Sequence, residues 1–242
     1  IIFNEFEADL TAIPDYFLYS CENLKEIQII ANTITSIGSC FLMNCSSLIK
    51  VEFSNPDAIT SISDYFLRNC SSLKNYVVPF KNITSISSGF LANTTSLVNI
   101  DLSAFRNITK LGNMFLRSSG ITSIDLTPLS NVKTIGSVFL GGSKLTSIDA
   151  SCLTSVTSIG IGFLVSCGEL LTIKLSDNIT ADIISDCNYP AATNQSFACS
   201  TSASEPTCPA YVQGVTLISK NAEHIKEVFP TTTSKAWRKW AN

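Results

Sequence analysis

Histidine occurs once in this chain of 242 residues, at His224. General acid–base work would therefore fall to carboxylates, and none is paired in a recognisable pocket motif. H-E-x-x-H, G-x-S-x-G, phosphate-loop and C-x-x-C patterns are also missing, so the sequence predicts no enzyme, no cofactor and no metal set. Charge is scarce, at 14% of residues, and 16 basic against 19 acidic side chains leave a net charge of −3. Without a basic face, nucleic acid is excluded as a partner. Long apolar runs are absent as well. Mean hydropathy is positive, yet no stretch reaches the roughly 18–20 uninterrupted apolar residues that span a bilayer. The chain opens on Ile1-Ile2 with neither Met nor a basic leader, as expected of a processed fragment whose targeting signal lies elsewhere.

The apolar residues present are metered out at a fixed period. Phe-Leu recurs at Phe17, Phe41, Phe66, Phe90, Phe115, Phe139 and Phe163, in steps of 24 or 25 residues. Upstream of these stand pairs such as Ile34/Ile37, Ile59/Ile62 and Ile83/Ile86. Downstream runs an L-x-x-I-x-L triplet: Leu24-Ile27-Ile29, Leu48-Val51-Phe53, Leu97-Ile100-Leu102 and their counterparts to Leu170-Ile173-Leu175. Its last two members share one face of a short strand. One unit cannot bury that face alone, but stacked copies can. The prediction is a right-handed β solenoid over residues 1–176, about seven coils of 24–25 residues, a repeat fold. A parallel sheet would line the concave face, with turns or short 3-10 segments on the other.

The segments C-S-S-L-x-x-V-x-F and I-T-S-I-S-x-x-F-L-x-N-C resemble the Treponema-type, or BspA-like, leucine-rich repeats. That family's pattern runs C-x-x-L-x-x-I-x-L-P-x-x-V-T-x-I-G-x-x-A-F-x-x-C. The resemblance covers residues 10–176, most of the chain. Phe-Leu replaces Ala-Phe before the cysteine throughout, implying a slightly wider coil, and the proline after the strand survives most clearly as Pro79. The resemblance implies a leucine-rich-repeat solenoid and a secreted or cell-surface protein of adhesion type. The family's binding residues follow no motif, so none is carried over.

Cys21, Cys45, Cys70 and Cys167 each stand four residues after a repeat Phe, where other coils have Thr94, Ser119 and Ser143. A position accepting Cys, Thr or Ser reads as an inward ladder of reduced thiols and hydroxyls. Neighbouring coils place such residues in a line, not a tetrahedron, which argues against a metal. Cys187, Cys199 and Cys208 follow no repeat and lie in an irregular Cys/Ser/Thr/Pro-rich loop spanning 177–213. A disulfide among these three is expected in an oxidising compartment. Residues 214–242 read as a final strand, "GVTLIS", followed by a helical cap carrying Ile225, Val228, Trp237 and Trp240.

Between the inward positions of each strand, an outward column reads Gln28, Glu52, Val77, Asp101, Asp125, Asp149, Lys174. Like charges roughly 5 Å apart cost on the order of 1 kcal/mol in water. Glu52, Asp101, Asp125 and Asp149 are therefore candidate partner-binding residues, set against a solvated stripe copied by duplication. N-x-[ST] sequons at Asn44, Asn69, Asn82, Asn93, Asn107, Asn178 and Asn194 mark either glycan acceptors or asparagines that bond turn backbone. The functional expectation is a non-catalytic module recognising a protein or glycan ligand, at the cell surface or outside the cell. The alternative is a structural subunit of a coat or filament, forming homo-oligomers through lateral solenoid contacts.

Overall fold

A computed structural model describes residues 2–3, 10–179, 215–218 and 237–241. The repeat region forms a parallel-strand solenoid in which each coil contributes the same parts at the same places. The L-x-x-I-x-L triplet supplies the main strands, among them Glu26–Ile30, Lys50–Ser54, Asn75–Val77, Asn99–Asp101, Ser147–Ala150 and Thr172–Leu175. They pair in parallel, with register Ile27 to Val51, Tyr76 to Ile100 and Ile148 to Ile173. Alternation places Ile27 and Ile29 inward, while Gln28 points outward. The main sheet is interrupted at 121–126, which carries no strand between Asn99–Asp101 and Ser147–Ala150.

A second ribbon was not anticipated. The I-x-x-I pairs end in two-residue parallel strands, such as Ser36–Ile37, Ser61–Ile62, Ser85–Ile86 and Lys110–Leu111, each hydrogen-bonded to its neighbour coil. Two residues are too few for a period-two pattern to reveal a strand. Short 3-10 turns at Pro56–Ala58 and Ser103–Asn107 link main strands to this ribbon, and one at Thr127–Leu129 links the strandless 121–126 to it.

The Phe-Leu corner explains why the motif repeats so strictly. The residue before each Phe, the Leu after it and the residue two further on have left-handed backbone, as at Cys40, Leu42 and Asn44 or Tyr65, Leu67 and Asn69. A left-handed non-glycine residue costs about 1–2 kcal/mol. The conformation turns successive N–H groups toward opposite neighbours. Leu67 N–H donates back to the Phe41 carbonyl (3.0 Å), while Tyr65 and Asn69 donate forward to the Ser88 and Ala92 carbonyls (2.7 and 2.9 Å). Inter-coil hydrogen bonds thus run through the corner as well as the strands, leaving those buried donors satisfied.

Inside the corner the phenylalanines form one stack. From Phe17 to Phe163, consecutive ring centroids are 5.2–5.8 Å apart and their planes lie within 10°. Phe41, Phe66, Phe90, Phe115 and Phe139 are fully buried among the leucines and isoleucines of both strand columns.

At the C-terminal end, strand Val215–Ile218 extends the sheet from Thr172–Leu175. Trp237–Ala241 adds a further parallel strand where a helical cap is expected. A tryptophan-bearing segment suits a strand. The helix expected at 221–229, His224 and the body of the 177–213 loop lie outside the described residues. So do Cys187, Cys199, Cys208 and Asn194.

Candidate functional site

The thiol ladder is structural in its geometry. Cys45 Sγ donates to the Leu18 carbonyl (3.2 Å), Cys70 Sγ to that of Leu42 (3.2 Å) and Cys167 Sγ to that of Leu140 (3.3 Å). Thr94 fills the same place with a hydroxyl bonded to the Leu91 carbonyl (2.7 Å). Burial pushes the Cys45 thiol up to about 11 and raises Cys70 and Cys167 too. A thiol held protonated is a poor nucleophile and a poor ligand. Among the described residues, no group of three or more His, Cys, Asp or Glu side chains is placed to hold a metal ion. Nor is any described helix long and apolar enough to cross a membrane.

The asparagines in sequons are tied into ladders of their own. Asn69 Nδ2 donates to Asn44 Oδ1 (2.6 Å), and Asn93 Nδ2 to Asn69 Oδ1 (2.8 Å). On another edge, Asn82 and Asn107 donate to the Asp57 and Lys81 carbonyls (2.7 and 3.2 Å). Asn178 donates to the Val156 carbonyl (2.7 Å). The amide nitrogen that would carry a glycan is engaged between coils at each of these positions.

The structure places Glu52, Asp101 and Asp149 on the outward face of main strands and Asp125 in the strandless 121–126, all exposed. It also gives the aspartates local work. Asp101 Oδ1 accepts the Ser103 N–H (2.8 Å), Asp125 Oδ1 accepts the Thr127 N–H and hydroxyl (2.9 and 2.6 Å), and Asp149 Oδ1 accepts both from Ser151. Each closes the turn that follows it. The Thr127 and Ser151 hydroxyls and amides lower the pKa of Asp125 and Asp149. Lys174 pairs with Asp149 (3.0 Å) and Lys50 with Glu52 (2.9 Å), offsetting the repulsion expected of a bare acidic row. With no strand at 121–126, the three aspartates do not form one continuous paired row.

Two further surface features stand out, of which the sequence reading had only Val77, as a member of the outward column. Val77 on strand Asn75–Val77, and Ile49 and Val98 just before the strands Lys50–Ser54 and Asn99–Asp101, are 66%, 51% and 42% exposed. Ile49 and Val77 flank an open groove of about 570 Å³ that includes Gln28, Glu52 and Asn75. On the first corner, Tyr16 and Tyr19 stand 63% and 43% exposed as an edge-to-face pair, ring centroids 5.7 Å apart. Further along the same column, the Arg68 guanidinium lies 5.0 Å from the Tyr65 ring centroid. The available signal was compositional: bulky aromatics at a position that holds glycine at Gly89 and Gly162.

No curated protein matches the chain. Among solved structures, a leucine-rich repeat protein of T. pallidum aligns at 16% identity and TM-score 0.48, over 73% of this chain and 72% of its own. A leucine-rich repeat protein from Bacteroides ovatus aligns at 15% identity and TM-score 0.32, over 100% and 92%. A leucine rich cell surface protein from Faecalibacterium prausnitzii aligns at 16% and 0.29, over 77% and 85%. The profile of the BspA type leucine rich repeat region matches in six copies, across 2–122 and 61–191. With that profile spanning most of its length, and with its repeats stacked as a parallel solenoid, the chain belongs to the BspA-type leucine-rich repeat family.

Proposed function

We propose that the chain is a non-catalytic binding module of a secreted or cell-surface protein, recognising a protein or glycan ligand through its solenoid surface. The observation that carries this is the division of labour between columns. Inward positions repeat Phe, Leu, Ile and small polar groups, whereas outward positions of the same strands change from coil to coil and include exposed apolar side chains beside charges. Mixed apolar and charged patches of this kind suit recognition more than folding. Family membership supports the surface or extracellular setting and the adhesion-type role. Glu52, Asp101, Asp125 and Asp149 are proposed to contact the partner, with Ile49 and Val77 as apolar anchors.

The test is surface-immobilised binding of the chain against panels of extracellular proteins and glycans. Asparagine at 101, 125 and 149 retains the turn-closing oxygen while removing charge, so a ligand held by the acidic face is lost without unfolding. Failure of every panel member to bind sinks the module reading. The alternative, a coat or filament subunit, draws on the hydroxyl-rich second ribbon, where Ser85, Thr134, Ser137 and Ser158 line a shallow groove of about 430 Å³. A native mass showing large homo-oligomers, with no ligand bound, selects it.

A further inference from the structure

We propose that the corner between Arg68 and Arg117 is a binding site for an acidic glycan, one bearing sulfate or carboxylate groups. This rests on the binding-module reading above and gives that module a second face, on the Phe-Leu corner rather than the main sheet. Both arginines stand two residues after a repeat Phe, Phe66 and Phe115, in a column that elsewhere holds Tyr19, Met43, Ala92, Gly141 and Val165. Ala92 lies in the coil between the arginines and is buried, a small floor between two long cations. Two coil steps separate them, 5.3 and 5.7 Å along the Phe stack. Two arginine side chains can close that span on one anionic group. Main-chain bonds hold both in place. The Arg68 and Arg117 N–H groups donate to the Tyr65 and Met114 carbonyls, each at 3.2 Å, and their own carbonyls accept the Asn44 and Asn93 N–H groups (2.9 and 2.6 Å).

Arg68 is positioned by the fold itself. Its guanidinium lies over the Tyr65 ring, 5.0 Å from the centroid. That ring fills the space of the side chain missing at Gly89 in the next coil, where a Cβ would stand 2.4 Å from Tyr65 Cδ1. Arg68 Nε is enclosed without a hydrogen-bond partner. The ion pairs among the described residues are Lys50–Glu52 and Lys174–Asp149, so neither arginine has a carboxylate. Asp64, on the same corner, is committed to the Ser88 N–H (2.7 Å). A half-buried cation with an unmet donor gives folding little and points to an anion from outside. The surroundings select its source. Among the described residues, no large exposed apolar side chain lies in 64–70, 88–94 or 113–119, so an acidic peptide finds no anchor. Nucleic acid would meet two cations on a chain of net charge −3. One column on stand Asn69, Asn93 and Ser118. The bond from Asn93 Nδ2 to Asn69 Oδ1 (2.8 Å) leaves Asn93 Oδ1 and a second N–H available. An acidic sugar matches both halves: its anionic oxygens accept from the arginine forks, and its hydroxyls bond the amides.

The experiment titrates the 242-residue chain calorimetrically with sulfated oligosaccharides, uronate-containing oligosaccharides, their neutral counterparts and poly-glutamate. An acidic oligosaccharide is expected to bind, more weakly as salt rises, and its neutral counterpart is not. Which acidic arm binds tells sulfate from carboxylate. Arg68→Gln and Arg117→Gln are each expected to weaken binding about tenfold or more. Arg117 is exposed, so its variant should keep the wild-type melting temperature. Arg68→Lys keeps the charge but loses the planar fork, and should also weaken binding. Arg106→Gln removes the same charge from the 3-10 turn Ser103–Asn107 and should leave binding unchanged. Acidic-glycan binding that survives both corner variants, or that falls as far in Arg106→Gln, overturns this site while upholding the module reading. Poly-glutamate binding tighter than every glycan, or no acidic glycan binding, overturns the ligand class. Binding to an extracellular protein then keeps the broader reading, and no binding at all removes both.

Discussion

Replacing Phe115 by alanine tests the interior stack where it is most enclosed. Phe115 is fully buried, with the Phe90 and Phe139 rings 5.7 Å away on either side. Removing a ring from so closed a site costs about 3–5 kcal/mol, because both adjacent coils restrain collapse into the cavity. Phe17 is the control: it is only half-buried, at the first described coil, with its ring 5.8 Å from that of Phe41. Phe17→Ala should therefore cost about half as much, on the order of 2 kcal/mol. Since a domain's total stability is about 5–15 kcal/mol, Phe115→Leu, at about 1–2 kcal/mol, serves as a milder companion. Urea unfolding followed by circular dichroism supplies the midpoints. In a solenoid whose coils are stabilised by their neighbours, the Phe115 variant should also broaden or split the transition. A Phe17 variant as destabilised as the Phe115 variant would refute the stack as the organising element.

Three other outcomes follow from local geometry. Val138 is a β-branched residue at φ 61°, so Val138→Asn should raise stability by about 0.5–1 kcal/mol, read as a higher urea midpoint. Asp125→Ala should cost about 1 kcal/mol by opening the Thr127 turn, whereas Asp125→Asn should be nearly neutral. The lowered carboxyl pKa means the wild-type turn is supported above the ordinary carboxylate range and loses that support as pH falls through the depressed value; the Asn variant should lack this acid dependence. For the buried thiols the sign is opposite. Unfolded cysteines release their protons near 9.0 while folded Cys45 holds its own to about 11, so stability should be level below 9 and decline across that interval, and thiol alkylation at neutral pH should require denaturant.

The solenoid was legible because its cause is periodic: Phe17 to Phe163 and the L-x-x-I-x-L triplets mark every coil. The second ribbon was less legible because Ser36–Ile37 and its counterparts are too short to show alternation. The corner ladder was hidden for another reason. Leu42 in left-handed backbone looks like any buried leucine in sequence, and only the inter-coil hydrogen bonds explain why the conformation is tolerated. A two-coil rhythm also went unread: Asp15, Asp64 and Asn113 cap the N–H groups of Ser39, Ser88 and Ser137, every second coil. At the candidate sites, the outward placement of Asp101, Asp125 and Asp149 followed from alternation, but their turn-closing bonds did not.

The most direct test of the architecture is amide hydrogen exchange at the corners, resolved by residue. Leu42, Leu67, Leu91, Leu116 and Leu140 each donate to the preceding coil's Phe carbonyl at 2.9–3.0 Å, so their amides should exchange as slowly as those of the main strands. Corner amides exchanging at the rate of exposed turns, while the strands stay protected, would contradict a solenoid stitched together through its Phe-Leu repeat.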